Sequence, residues 1–328
     1  MREAIAEALS TDVLASSNPR VGCVIVDSSG VIVGRGHHRG SGTAHAEIAA
    51  LADAGDLALG ATAVVTLEPC RHTGRTGPCT QALINAGIAR VVYGVDDPGD
   101  VSAGGAEVLR DAGIDVVAGV EADEARWAAR AWFHSLSHDR PLVTLKTAVS
   151  LDGRVADATG GPTPITGPAA RAFAHEWRAQ VDAIVVGTGT ALQDDPSLTA
   201  RPERHAGDVR QPLRVVVGRS NLPEGARVLD DSAPTLLYQD HDVHALLADL
   251  HRRDVQHLLV EGGPTLAAAF MDAGVVDEVL WFVAPILLGD GPVAMASLTH
   301  PAPVNVRRVT VVGEDVVVEG VMDVHGHR

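Results

Sequence analysis

His45, Cys70 and Cys79 are three soft metal ligands that lie far apart in the chain and must meet at one point if they are to hold an ion. His45 sits at the start of a helical stretch from about Ala44 to Gly55, and the apolar run Ala63-Val-Val-Thr-Leu67 leads directly into Glu68-Pro-Cys70. Pro78-Cys79 opens the next helix, a position where proline is favoured. A strand end and two helix starts therefore have to converge, which asks for a sheet covered by helices. Three protein ligands leave a fourth position for water, the arrangement of a catalytic zinc rather than a closed structural one. Glu47, two residues past His45, is a free carboxylate in the same helical turn.

The pattern around these residues is alternating. Val21 to Val26 and Val31 to Gly34 read as a hairpin about Asp27-Ser-Ser-Gly30. After the Ala63–Leu67 strand come a helix ending at Gly87, a strand at Arg90–Gly94, a helix at Ala103–Ala112 and a strand at Ile114–Val117. A helix is expected at residues 3–15, and another from Glu121 to about His138 as a link. A second alternating series follows, with strands at Leu142–Lys146, Ala183–Val186, Leu213–Val217, Thr235–Tyr238, Gln256–Val260 and Val279–Val283, helices at about 168–180, 242–252 and 264–273, and a closing hairpin around Gly313-Glu314. At 328 residues the chain suits two domains. The expected division is 1–122, a helical link 123–140, and 141–328.

Composition narrows the functional classes. A formal charge of −16 argues against a general nucleic-acid surface, which needs a basic stripe. No apolar run has the length of a membrane span, and the acidic start Met-Arg-Glu-Ala-Ile-Ala-Glu is unlike a signal peptide, so a cytoplasmic enzyme is expected. Three cysteines make no disulfide framework, and Cys23, within Val-Gly-Cys-Val-Ile-Val, reads as an inert core thiol. Among 26 basic residues Lys146 is the single lysine, which reads either as a role arginine cannot fill or as chance.

Zinc nucleobase deaminases carry His-x-Glu followed by Pro-Cys-x-x-Cys, with the glutamate moving protons and not ligating. His45-Ala-Glu47 and Pro69-Cys70 match, while the second cysteine comes after eight residues instead of two. The strings Asn18-Pro-Arg-Val-Gly-Cys-Val-Ile-Val26, His45-Ala-Glu47 and Glu68-Pro-Cys-Arg-His-Thr-Gly-Arg-Thr-Gly-Pro-Cys79 resemble the N-terminal half of the bifunctional riboflavin-biosynthesis deaminase/reductase family. Gly77 stands where that family usually has proline. The resemblance implies a cytidine-deaminase-like three-layer domain with one zinc on His45, Cys70 and Cys79, Glu47 as catalyst, and a phosphorylated pyrimidine substrate met by Asn18, His38, His72 and Arg75.

The second half carries Lys146-Thr-Ala-Val-Ser-Leu-Asp-Gly153, Val185-Val-Gly-Thr-Gly-Thr190 leading to Asp194-Asp-Pro-Ser-Leu-Thr-Ala-Arg201, and Leu258-Leu-Val-Glu-Gly-Gly-Pro-Thr-Leu266. Glycines before a helix start let backbone N–H groups approach a phosphate. The order of these pieces resembles the reductase half of the same family, which implies a dihydrofolate-reductase-like fold using NADPH to convert a ribosyl group to ribityl. On that resemblance, Ala148, Thr190, Asp194, Ser220, Gly263, Pro264, Thr265 and Leu266 match cofactor positions, and Lys146, Arg178, Leu198, Arg201 and Glu261 match substrate positions. A homo-oligomer, dimer or tetramer, is expected as well. Pro162 and Pro164 replace the serine and tryptophan of the family's Ser-x-Trp-Ile-Thr. That departure motivates an alternative, a deaminase whose second domain only binds or dimerises. A nucleotide-sensing or structural zinc protein, with His72 closing the metal site, is the third reading.

Overall fold

A computed structural model of the chain describes residues 1–10, 18–72, 77–159, 163–203, 209–295, 298 and 300–323. Two compact units, Met1–Ser137 and His138–Arg328, divide it. Among the described residues no helix is long and apolar enough to cross a membrane.

The first unit runs α1 (Arg2–Ala8), β1 (Gly22–Val26), β2 (Ile32–His37), α2 (Ala46–Ala54), β3 (Thr62–Leu67), α3 (Cys79–Asn85), β4 (Arg90–Val95), α4 (Gly105–Asp111), β5 (Asp115–Val117), α5 (Ala122–Ala128) and α6 (Arg130–Ser135). Its five-stranded sheet has the order β2-β1-β3-β4-β5. The β1 strand is antiparallel to both neighbours, while β3, β4 and β5 are parallel. The sheet is thus mixed, as the pattern implies. The core is built of Cys23, Ile25, Val65, Leu83, Val91 and Leu109 with the alanine face of α2.

That alanine face explains how close α2 lies. A Cβ on Gly34 would stand 2.3 Å from the Ala50 carbonyl oxygen, and one on Gly36 would stand 2.5 Å from that of Ala46. Only glycine on β2 opposite alanine on α2 lets the two backbones touch, and this sets the depth at which the first turn of α2 presents Glu47. The β2 strand continues past its expected end because Arg35, Gly36 and His37 pair with Val24, Cys23 and Gly22.

Residues 121–138 form two helices rather than one, with the break at Ala129, whose φ is −103°. Ala125 packs so closely that a Cβ on Gly94 would meet its side chain at 2.5 Å, while Trp132 and Phe133 pack on the same core from the second helix. A straight helix cannot turn both faces inward. Of the expected helix at 3–15, α1 forms the first part, and residues 11–17 lie outside the described ones.

The second unit runs β6 (Leu142–Ser150), α7 (Pro168–Arg178), β7 (Ala183–Gly187), α8 (Thr188–Asp194), β8 (Leu213–Val217), β9 (Thr235–Tyr238), α9 (Val243–Arg252), β10 (His257–Val260), α10 (Pro264–Asp272), β11 (Glu278–Ala284), β12 (Val304–Val312) and β13 (Asp315–Met322). Its eight-stranded sheet has the order β12-β13-β11-β6-β10-β7-β8-β9. Six strands are parallel, and the closing β12–β13 hairpin joins antiparallel to β11. The β6 strand outruns its expected end at Lys146 because Thr147 to Ser150 pair with Trp281 to Ala284 of β11. In such a sheet, ligands bind outside the carboxyl ends of the strands.

Candidate active sites

The first site forms where β3 ends and α2 and α3 begin. His45 Nδ1 stands 3.2 Å from Cys79 Sγ and 3.6 Å from Cys70 Sγ. All three ligand atoms lie within 4.8 Å of one another. Zinc bonds of about 2.0–2.1 Å to nitrogen and about 2.3 Å to sulfur, at tetrahedral angles, put N and S about 3.5 Å apart. The donor set therefore fits zinc in both chemistry and spacing.

The Cys70 loop is pinned from several sides. Glu68 is buried, and its carboxylate accepts from the Asp97 N–H at 3.2 Å and the Ala106 N–H at 2.9 Å. The Thr80 N–H donates to the Cys70 carbonyl at 3.2 Å, which fixes α3 to the same loop. Gly105 must be glycine, since a Cβ there would meet the Pro69 carbonyl oxygen at 1.8 Å. Glu68 is thus a positioning group that motif reading left without a role, although it heads the Glu-Pro-Cys string.

Glu47 is 4% exposed. Burial pushes its carboxyl up to about 7, with Cys70 adding to the rise and His45 opposing it. Cys70 and Cys79 share one proton: the bond from Cys79 holds Cys70 down to about 4 against the effect of burial, and Cys79 is raised in turn. A dication would displace that proton.

His38 and Asn18 meet beside the metal ligands. Asn18 Nδ2 donates to His38 Nε2 at 2.9 Å, and His38 Nδ1 donates to the Ala44 carbonyl at 3.0 Å. Burial lowers the His38 pKa, so the ring is neutral and this pattern is its tautomer. The His38 and His45 rings lie edge to face with centroids 5.3 Å apart. His72 is not part of the ligand cluster, and its Nδ1 is buried without a hydrogen-bond partner among the described residues. Arg75 lies outside the described residues. A Cβ on Gly77 would meet nothing within 4 Å, so the space itself does not require glycine there.

The second site gathers around Glu261, at the end of β10. Arg178 grips it through two bonds, Nε to Oε1 at 2.7 Å and Nη2 to Oε2 at 2.8 Å, and Lys146 Nζ stands 3.7 Å from Oε2. Burial alone would raise Glu261, but Arg178 and Lys146 outweigh it and hold the carboxylate at about 2. Burial lowers the Lys146 pKa, and Glu261 counteracts part of that shift. Lys146 also faces the Phe282 ring at 5.3 Å.

A cavity of about 440 Å³ opens at the ends of β7, β8 and β10. Thr190 and the run Gly263, Pro264, Thr265 and Leu266 line it. The Gly263 N–H donates to Thr190 Oγ1 at 3.1 Å, and no side chain caps the start of α10, leaving amides there for an anion. Pockets of this size hold small-molecule cofactors, so a nucleotide cofactor fits. Ala148, Asp194 and Ser220 do not line the cavity. Ala148 faces the cluster of Trp177, Leu280 and Phe282. Thr188, Gln193 and His241 do line it. Motif reading missed Thr188 and Gln193 because α8 is hidden in a Gly-Thr-Gly-Thr run that reads as a turn, and His241 because it stands in the loop before α9, outside any motif.

Asp195 and Leu198 have φ of 42° and 50°. Leu198 is buried in a core cluster, and Arg201 is exposed. The strained segment is held by Arg227, whose backbone N–H reaches Asp195 Oδ1 at 2.8 Å, and by Arg214 Nη1, which reaches the Ser197 carbonyl at 3.3 Å. Backbone strain of this kind persists only where surroundings over-determine it, and it clusters at functional sites. Pro164 is exposed, and Pro162 lies outside the described residues.

Two family models match the chain. Residues 1–95 fit the cytidine and deoxycytidylate deaminase zinc-binding region, and residues 141–318 fit the RibD C-terminal domain. The riboflavin biosynthesis protein RibD of Mycobacterium tuberculosis is 50% identical over 84% of this chain and 80% of its own length. The Escherichia coli protein of that name is 40% identical over 86% of this chain and 85% of its own. Among solved structures, Acinetobacter baumannii RibD superposes with a TM-score of 0.82 at 35% identity, covering 98% of this chain and 97% of the other. A diaminohydroxyphosphoribosylaminopyrimidine deaminase/5-amino-6-(5-phosphoribosylamino)uracil reductase from Thermotoga maritima does so at 0.85 and 33%, with the same coverage.

Proposed function

Because this chain belongs to the RibD family of bifunctional riboflavin-biosynthesis deaminase/reductases, we propose that residues 1–122 carry its deaminase, residues 141–328 its reductase, and 123–140 the link. The enzyme removes an amine from 2,5-diamino-6-ribosylamino-4(3H)-pyrimidinone 5′-phosphate, then reduces the ribosyl group to ribityl. A deaminase with an idle second domain is not favoured, since the reductase-domain match spans most of the second unit.

The observation that carries the residue assignment is the convergence of His45, Cys70 and Cys79 with buried Glu47 beside them. Zinc would supply the charge that acidifies the attacking water, and NADPH the hydride. In our reading Glu47 takes a proton from that water and delivers it to the leaving amine, a task suited to a buried carboxyl beside the ligand set. Asn18, His38, His72 and Arg75 bind the pyrimidine substrate. His38 is supported as a fixed, neutral group by its bonds to Asn18 and Ala44.

In the reductase, Lys146, Arg178, Arg201 and Glu261 serve the phosphorylated sugar, and Leu198, whose side chain is buried in the core, serves it through its backbone. Ala148, Thr190, Asp194, Ser220 and the Gly263–Leu266 turn serve the cofactor, with cavity lining as support for Thr190 and the turn. Turnover of the diaminopyrimidinone with and without NADPH tests both activities: ammonia and the ribosyl product are expected without it, and the ribityl product with it. Absence of NADPH consumption at every enzyme level would overturn the reductase assignment.

We also place the enzyme in the cytoplasm as a homo-oligomer, a dimer or tetramer. Edge strand β12, with Val306, Val309 and Val311 exposed, offers apolar surface for such an assembly. Sedimentation of the pure protein is expected to give a multiple of 34.0 kDa, and a monomer at working concentration removes that reading.

A further inference from the structure

The two arginines of the reductase site are held differently. Arg178 is tied to Glu261 and its charge is matched. Arg201 is exposed and has no carboxylate among the described residues; its hydrogen-bond partner is His175, with Arg201 Nη2 at 3.4 Å from His175 Nε2. A guanidinium has only donors, so Nε2 must be the acceptor and Nδ1 carries the proton. That N–H donates to the Thr199 carbonyl at 3.1 Å, an oxygen that also receives Arg178 Nη1 at 3.3 Å. One imidazole on α7 thus ties the Thr199–Arg201 segment in place.

We propose that His175 is a positioning residue of the reductase: a neutral acceptor that aims the Arg201 guanidinium at the substrate phosphate without neutralising it. The proposal rests on the assignment of Arg201 to the substrate. A carboxylate in place of the ring would pair with Arg201 as Glu261 pairs with Arg178, and the phosphate would then compete with it. Burial, followed by the nearby Arg178 and Arg201, lowers His175 to about 4, so near pH 7 it does not repel the arginine it supports. His175 belongs to no motif, and its only sequence signal is its place one helical turn before Arg178.

The test is steady-state reduction by the full chain, using the deaminated intermediate and its dephosphorylated counterpart. In His175→Ala, KM for the phosphorylated substrate is expected to rise on the order of tenfold, with kcat and the KM for NADPH near wild type. The dephosphorylated substrate should show no change, and the inhibition constant of ribose 5-phosphate should rise in parallel. His175→Gln, which keeps a neutral acceptor, is expected to recover most of the loss, and His175→Glu to be worse than alanine. Equal losses on both substrates, or a fall in kcat alone, overturn the proposal. The unfolding midpoint of the second unit reports folding, with ammonia release as the control on the first unit, and if the alanine variant does not fold, glutamine against glutamate decides. Arg201→Ala separates the two ideas. No phosphate-dependent loss there removes the assignment of Arg201, whereas loss there without loss in His175→Ala removes this inference alone.

Discussion

Glu47→Gln is expected to lower ammonia release by roughly 10²–10⁴-fold, the usual contribution of a positioned proton carrier, while zinc content stays near that of wild type. The amide keeps the size of the side chain but cannot accept and return a proton. The metal should remain because its ligands are His45, Cys70 and Cys79 and the loop between them is pinned through Glu68, Thr80 and Gly105. Metal analysis beside an ammonia assay checks both halves. A variant that loses zinc as well would make Glu47 part of the scaffold, and one that keeps near-normal turnover would sink its catalytic role. NADPH-dependent reduction of the supplied intermediate should be untouched, since Glu47 belongs to the other unit.

Glu261→Ala is expected to be the most damaging single change in the second unit. It would strand Arg178 and Lys146, whose side chains are 16% and 20% exposed, beside an empty space. Breaking a buried pair while leaving the opposite charge in place costs about 3–5 kcal/mol. NADPH consumption should vanish, and the unfolding midpoint of the second unit should fall while ammonia release persists. An unchanged midpoint would mean that the cations find water or another partner.

The same groups set an acid limit. Glu261 is held at about 2 against an ordinary 4.5, so its contribution is present above 4.5 and fades as pH falls toward 2. His175 is lowered from 6.5 to about 4, so the unfolded chain takes up its proton first and stability declines as pH falls through that window. Both shifts have the same sign, and the stability of the second unit should begin to decline as pH falls below about 6.5, with its unfolding midpoint falling accordingly.

Much of this protein was legible in its sequence because the relevant signals are local. The ligand set, Glu47 and the strand-to-loop entry at Leu67–Cys70 could be read from residue type and spacing, since each stands at the end of a periodic element. Both domains' alternating patterns, and the glycine turn at Gly263, were legible for the same reason. Strand and helix limits were less so. Thr147 to Ser150 extend β6 only because β11 lies beside them, and the break at Ala129 exists because two faces of one stretch pack on one core.

Tertiary structure alone decided which like residues do different work. Nothing in the composition separates Arg178, clamped by Glu261, from Arg201, held by a neutral imidazole, or raises Glu47 to about 7 while holding Glu261 at about 2. Burial and the identity of the nearest charge make those distinctions. Both are set by chain segments far apart in sequence, such as Arg178 and Glu261, so residue type and spacing show where chemistry can occur while the assembled fold sets the charge each group carries.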